Sequence, residues 1–153
     1  MRARTIVWTF VMCFLALTLC SAENANMGTW KLNESKSKLS GSAKNSTVTY
    51  AMAGDDVKVT IDGVDAQGKP THNEWSGKFD GKDYPVTGDA SSDSRSYKVI
   101  DDHNMDVTSK KDGKVTLTAK ITVSKDGKSR TVTASGTGAD GKKVHSLGVY
   151  DKQ

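Results

Sequence analysis

The chain has few cysteines, few prolines and little apolar material for its 153 residues. Both cysteines, Cys13 and Cys20, lie within the first 22 residues. The rest of the chain therefore has no disulfide, no thiol nucleophile and no thiolate metal ligand. Of the two prolines, Pro85 falls between Tyr84 and Val86. A residue without a backbone N–H marks that segment as an edge strand or a bulge. No window beyond residue 22 sustains a 3.6-residue period, so helices are nearly absent. Charge of one sign is not concentrated anywhere. The formal net charge of +4 falls to about +2 without Arg2 and Arg4, and Lys and Asp alternate along the remainder. The basic footprint of a nucleic-acid-binding protein is missing.

Apolar residues are concentrated at the start. Arg2 and Arg4 precede an apolar run from Ile6 to Leu19, and the small residues Cys20-Ser21-Ala22 follow. This is the pattern of a secretory signal peptide over 1–22, too short for a stable anchor, with cleavage after Ala22. It predicts a periplasmic or secreted protein with no membrane span in its mature form. Lipid attachment at Cys20 is the less favoured alternative, because Leu19 stands where that processing wants a small residue. A four-residue leader, 23–26, then precedes a single domain over 27–153.

Sixteen of the first 22 residues are apolar, which leaves the other 131 at about 29%, against about 45–50% with glycine counted in an ordinary domain. Such a chain can bury one face of each strand, not two. That suits an antiparallel sheet with a wet outer face and excludes a parallel sheet covered on both sides.

The period-two signal is strong. Val48, Tyr50 and Met52 alternate with threonines and Ala51, and Val57, Val59 and Ile61 with Lys58 and Thr60. Trp75 and Phe79 share a parity, then Tyr97 with Val99 and Met105 with Val107. From Lys114 to Ser124, Val115, Leu117, Ala119, Ile121 and Val123 share one face. Val132 with Ala134, then Leu147, Val149 and Tyr150, complete the series. Asp-Gly recurs at 62–63, 80–81, 112–113, 126–127 and 140–141. Between alternating runs it is a strong hairpin signal, because a type I′ turn needs positive φ at both centres. The last three pairs are 14 residues apart. This spacing predicts long strands joined neighbour to neighbour, hence an all-β, antiparallel up-and-down barrel of about ten strands. A repeat architecture, solenoid or propeller, is the less favoured alternative because the strand residues themselves do not repeat. The polar stretch 33–45 is the longest break and the candidate lid or rim.

Gly28-Thr29-Trp30-Lys31-Leu32 resembles the opening of calycins: the Gly-x-Trp of lipocalins and, more closely, the first strand of fatty-acid-binding proteins. Val149-Tyr150-Asp151-Lys152 is similar to the close of that second family. Together with Asp80-Gly81-Lys82-Asp83-Tyr84-Pro85-Val86-Thr87-Gly88, these segments also resemble small exported bacterial proteins described as lipocalin-like. The resemblance implies a ligand-holding barrel. Two features depart from fatty-acid-binding proteins. Residues 33–45 are too short for a two-helix lid, and Gly148 stands where their last strand has the arginine of an Arg-x-Tyr pair. The tyrosine is kept as Tyr150, but the bidentate partner of a carboxylate is absent from that strand. The resemblance points Tyr150 inward with Gly148 and Ser146, whereas apolar parity favours Leu147 and Val149.

Tyr50, Trp75, Phe79, Tyr84, Tyr97 and Tyr150 are the candidate ligand-binding residues, since a barrel of this size has interior space to spare. Their competing role is plain core filling. Trp30 reads as the floor of the barrel, where an indole seals a large volume. His72, His103 and His145 lack ligand spacing, and Asp55-Asp56 and Asp101-Asp102 do not form a calcium loop. His72 and Glu74 share a strand face but have no third group to complete a catalytic set. No nucleophile elbow, zinc motif or phosphate loop occurs. The glycosylation patterns at Asn33 and Asn45 apply only to a eukaryotic route, and signal and composition read as bacterial. The expectation is a monomeric, non-enzymatic protein, without cofactor or metal, that buries a small hydrophobic ligand. The alternative is a filled barrel acting through its surface as an envelope component, inhibitor or assembly partner.

Overall fold

A computed structural model describes residues 24–137 and 141–153. The signal segment, both cysteines and Asp140 of the last Asp-Gly pair lie outside them. Among the described residues ten strands form a closed barrel. They are β1 (Gly28–Leu32), β2 (Lys44–Ala53), β3 (Asp56–Val64), β4 (Pro70–Gly77), β5 (Tyr84–Thr87), β6 (Ser94–Val99), β7 (Asn104–Lys111), β8 (Lys114–Val123), β9 (Ser129–Thr137) and β10 (Lys143–Lys152). Each strand pairs antiparallel with its neighbours in sequence, and β1 closes the ring against both β2 and β10. This is the up-and-down barrel that the period-two pattern predicts. Closure leaves no free edge, so a half-polar chain gains a core without an exposed ladder.

The meander gives the barrel two ends. The lower end carries the β2–β3, β4–β5, β6–β7 and β8–β9 turns, and the upper end carries the rest. The buried apolar side chains gather toward the lower end: Trp30, Tyr50, Val59, Trp75, Tyr97, Met105, Ile121 and Val123. Trp30 is wholly buried, and its indole N–H donates to the Asn26 carbonyl over 2.7 Å. Phe79, in the β4–β5 connection, packs beside Trp75, Tyr97 and Tyr50. The lower half is thus filled by rings, while the inward positions of the upper half carry Ala119, Ala134, Ser146 and Gly148.

The Asp-Gly pairs among the described residues do not all serve as turns. Asp112 (φ 50°) and Gly113 (φ 74°) form the two-residue turn between β7 and β8, where both residues take the positive φ of a type I′ hairpin. Asp62-Gly63 is not a turn but lies within β3. The chain reverses instead at 65–69, where Asp65 accepts the backbone N–H groups of Gln67 and Lys69. Gly63 faces a bulge in β2 between Asn45 and Thr47. A side chain there would collide with the Lys44 carbonyl oxygen. The glycine therefore serves close strand approach, not turn chemistry.

Residues 33–45 are not a helical lid. A single 3₁₀ turn at Glu34–Lys36 leads to Lys38, which exchanges backbone hydrogen bonds with Leu147 at 2.7 and 2.8 Å. The segment continues the β1 seam along β10, and only its end reaches the upper mouth. β5 is short, and two register pairs join it to each of β4 and β6, as expected of a strand holding Pro85.

Replacing Gly63 with Ala is expected to lower stability by about 1–3 kcal/mol, because the new methyl meets backbone that cannot rotate away. Urea unfolding checks this; an unchanged midpoint would show that the β2–β3 approach is looser than described.

Candidate functional site

Above the ring-filled half lies a cavity of about 500 Å³, within the roughly 300–1,000 Å³ usual for small-ligand pockets. Its walls come from inward positions of almost every strand. Val48, Ile61, Val107, Leu117, Ile121 and Val132 supply apolar surface. The mouth is framed at the upper end by Leu39, Ala43 and Lys44, by Val64 and Asp65, and by the β5–β6 loop from Gly88 to Ser91. Lys44 is paired with Glu34 at 2.7 Å.

Two arginines line this cavity, and their surroundings differ. Arg95, on β6, has a complete set of partners. Its Nη2 meets Asp89 at 2.9 Å, Nε donates to Ser109 at 3.2 Å and Nη1 to Asn73 at 3.3 Å. Asp89 also accepts from the Ser91 N–H and hydroxyl and from the Ser92 hydroxyl, all within 2.8 Å. Burial pushes the Asp89 carboxyl up, but these donors, with the charge of Arg95, outweigh it and hold it below the usual range. The pair ties the rim loop to the barrel wall.

Arg130, on β9, is 2% exposed. Its guanidinium carbon stands 4.8, 4.9 and 5.2 Å from the rings of Trp30, Tyr50 and Tyr150. Its Nε and Nη1 are buried without a hydrogen-bond partner, and it makes no ion pair, among the described residues. Ring contacts recover about 2 kcal/mol each at best when desolvated. Burying an ion costs several kcal/mol even after relaxation, and unmet N–H donors add to that. The cage holds the cation in place without neutralising it.

The structure divides the six candidate rings into two groups. Tyr50, Tyr97 and Tyr150 line the cavity. Trp75, Phe79 and Tyr84 do not; they pack beneath it. Trp75 stacks on Phe79 at 6.2 Å and meets Tyr84 and Tyr97 edge-on at 5.6 and 4.6 Å. The Trp75 indole donates to the Arg95 carbonyl over 2.7 Å. Burial pushes the Tyr97 and Tyr150 hydroxyls up to about 12, so both stay neutral at physiological pH. Tyr150 donates to the Asn45 carbonyl at 3.2 Å, which fixes its ring over the cavity.

On the last strand Tyr150, Gly148 and Ser146 face inward, while Leu147 and Val149 are half-buried on the other face. Gly148 leaves room for Tyr150: a Cβ there would sit 2.9 Å from its ring. An arginine does stand beside Tyr150, on the adjacent strand, where Arg130 is its register partner. Arg130, Arg95 and Asp89 were not among the candidates read from sequence. The signal for the arginines was present, since Arg130 shares parity with Val132 and Ala134, and Arg95 with Tyr97.

The histidines do not converge. His72 meets Asp62 at 2.7 Å and Glu74 at 3.5 Å on the exposed face of β3 and β4, and His145 meets Ser135. Asp101 accepts the His103 and Asn104 backbone N–H groups of its own turn.

No family model and no curated protein matches the chain. Among solved structures it is similar to a redesigned β-barrel, mFAP1, bound to DFHBI. The identity is 14% and the TM-score 0.47, with 84% of this chain and 95% of that chain covered. It is also similar to EF1p2_mFAP2b bound to DFHBI, at 13% identity and TM-score 0.47, with 84% and 94% covered.

Two outcomes are expected of the free protein. Arg130→Met should leave stability unchanged or raise it by about 1–4 kcal/mol, because an uncompensated buried cation gives way to an apolar chain of similar length. A lower unfolding midpoint in urea would instead make Arg130 a structural element of the core. The Asp89 tether should contribute fully from neutral pH down to about pH 4, the unfolded carboxyl value. Its contribution should fade as pH falls further through the lower folded value. The midpoint difference between wild type and Asp89→Asn, followed against pH, checks the sign; a gap that widens in acid would contradict it.

Proposed function

We propose that this is an exported, non-enzymatic binding protein that holds a small, mostly apolar ligand with an acidic head inside its barrel. Export rests on the pattern of residues 1–22. The observation that carries the binding reading is the guanidinium of Arg130, which lines the cavity and, unlike Arg95, makes no ion pair and leaves Nε and Nη1 unpaired among the described residues. Apolar walls favour a hydrocarbon or ring body by burial, at roughly 25 cal/mol per Å². The guanidinium favours a carboxylate or similar anion, because a charge-assisted hydrogen bond is roughly twice as strong as a neutral one. Tyr97 and Tyr150 stay protonated beside it and do not compete as anions. A barrel acting only through its outer surface has no use for an uncompensated charge inside, which places that alternative second.

The test is calorimetric titration of the delipidated protein with dodecanoate and with dodecanol. The acid is expected to bind roughly 10- to 100-fold more tightly, the equivalent of one charge-assisted hydrogen bond of about 1.5–3 kcal/mol. Arg130→Met should abolish that difference and leave dodecanol little changed. Equal binding of acid and alcohol by wild type, or no binding of either, overturns the reading.

A further inference from the structure

The cavity contains two guanidinium groups but only one that lacks an anion. We infer that Asp89 sets the charge the cavity accepts: by occupying Arg95 it leaves Arg130 alone to meet the ligand, so the site takes a singly charged head and rejects a doubly charged one. This inference rests on the binding reading above and deepens it.

The two arginines line one cavity and are linked through Tyr97 and Tyr50. Arg95 and Tyr97 are successive inward residues of β6. The Tyr97 ring lies 6.1 Å from Tyr50, and Tyr50 lies 4.9 Å from the Arg130 guanidinium. All four side chains line the same cavity. Asp89 lines it too, with its side chain 17% exposed against 7% for Arg95. The other charged lining groups are at the mouth. Lys44 is neutralised by Glu34, and Asp65 is engaged by the backbone of its own turn. The interior around Tyr50 and Tyr97 therefore carries one net positive charge. In a poorly solvated site a second negative charge has no partner and must shed its water, which disfavours it strongly. Asp89 thus acts as a built-in anion held on the protein, and discrimination comes from what it excludes.

Dodecanoate and dodecyl phosphate share a tail and differ in head charge, the phosphate carrying about −1.5 to −2 at pH 7. Wild type is expected to bind dodecanoate at least roughly tenfold more tightly. In Asp89→Asn, where Arg95 is freed, the ratio should shift toward dodecyl phosphate by roughly tenfold or more. The double variant Asp89→Asn/Arg95→Gln restores a single charge and should restore the wild-type ratio. Each comparison is between two ligands on one protein, so a general loss of affinity cancels. Wild type alone gives an independent readout. At about pH 5.5, below the second phosphate pKa of about 6, the phosphate approaches a monoanion and its disadvantage should largely disappear. Asp89 stays ionised there, and no histidine lines the cavity among the described residues. If wild type fails to bind dodecanoate, the binding reading falls and this inference with it. If dodecanoate binds, but the ratio is the same in Asp89→Asn or persists at pH 5.5, head size and not charge is being read, and this inference alone is overturned.

Discussion

Closure of the ladder is the constraint on which everything else depends. A chain with about 29% apolar residues beyond its first 22 cannot cover both faces of a sheet, and an open sheet would expose two edges. Joining β1 to β10 removes the edges and turns one face of every strand into a shared interior. Each inward position then belongs to one of two zones. Large rings take the lower positions and exclude space. Small residues, among them Ala119, Ala134, Ser146 and Gly148, take upper positions and leave it. Core and cavity are therefore two stretches of one interior, and the aromatic residues that fill the first form the bottom of the second.

This division explains what could be read from sequence and what could not. Period two fixes which residues point inward, and it did so for Tyr50, Tyr97 and the β8 run from Leu117 to Val123, whereas Val115 at the strand's start is 57% exposed. It does not say how far a ring lies from either end, so Trp75 and Phe79 were indistinguishable from Tyr50 until strand positions were known. Depth depends on register, and register depends on features such as the β2 bulge and the in-strand Asp62-Gly63 pair, which looks like a turn from composition alone. Tyr150 shows the opposite case. Apolar parity favoured its neighbours Leu147 and Val149 as the inward pair. They face outward because Tyr150, Gly148 and Ser146 take the inward positions of the same strand.

The arginines were missed for a related reason. A search for apolar alternation treats a charged residue at an inward position as an interruption, when it is the more informative observation. Arg130 and Arg95 each fall in step with apolar neighbours two residues away. The same holds across strands: position 148 is glycine, and the nearest arginine to Tyr150 in register stands on the neighbouring strand. In a closed antiparallel ladder the register partner across the hydrogen bonds stands as near as the residue two positions along, so Arg130 can supply beside Tyr150 what β10 does not carry.

The contrast between the two cations separates structural from functional charge. Arg95 has Asp89, Ser109 and Asn73, and its role is complete within the protein: it fastens the rim loop to the wall. Arg130 has three ring faces, and among the described residues its Nε and Nη1 find no acceptor. Rings attract a cation but accept no N–H bond in their plane, so they fix its position while leaving its hydrogen-bonding capacity unused. A folding core gains nothing from such an arrangement, since an apolar residue of equal size would pack there without the desolvation penalty. The arrangement is useful when a further acceptor arrives. The aromatic cage then spares the entropy of ordering the guanidinium at the moment of binding.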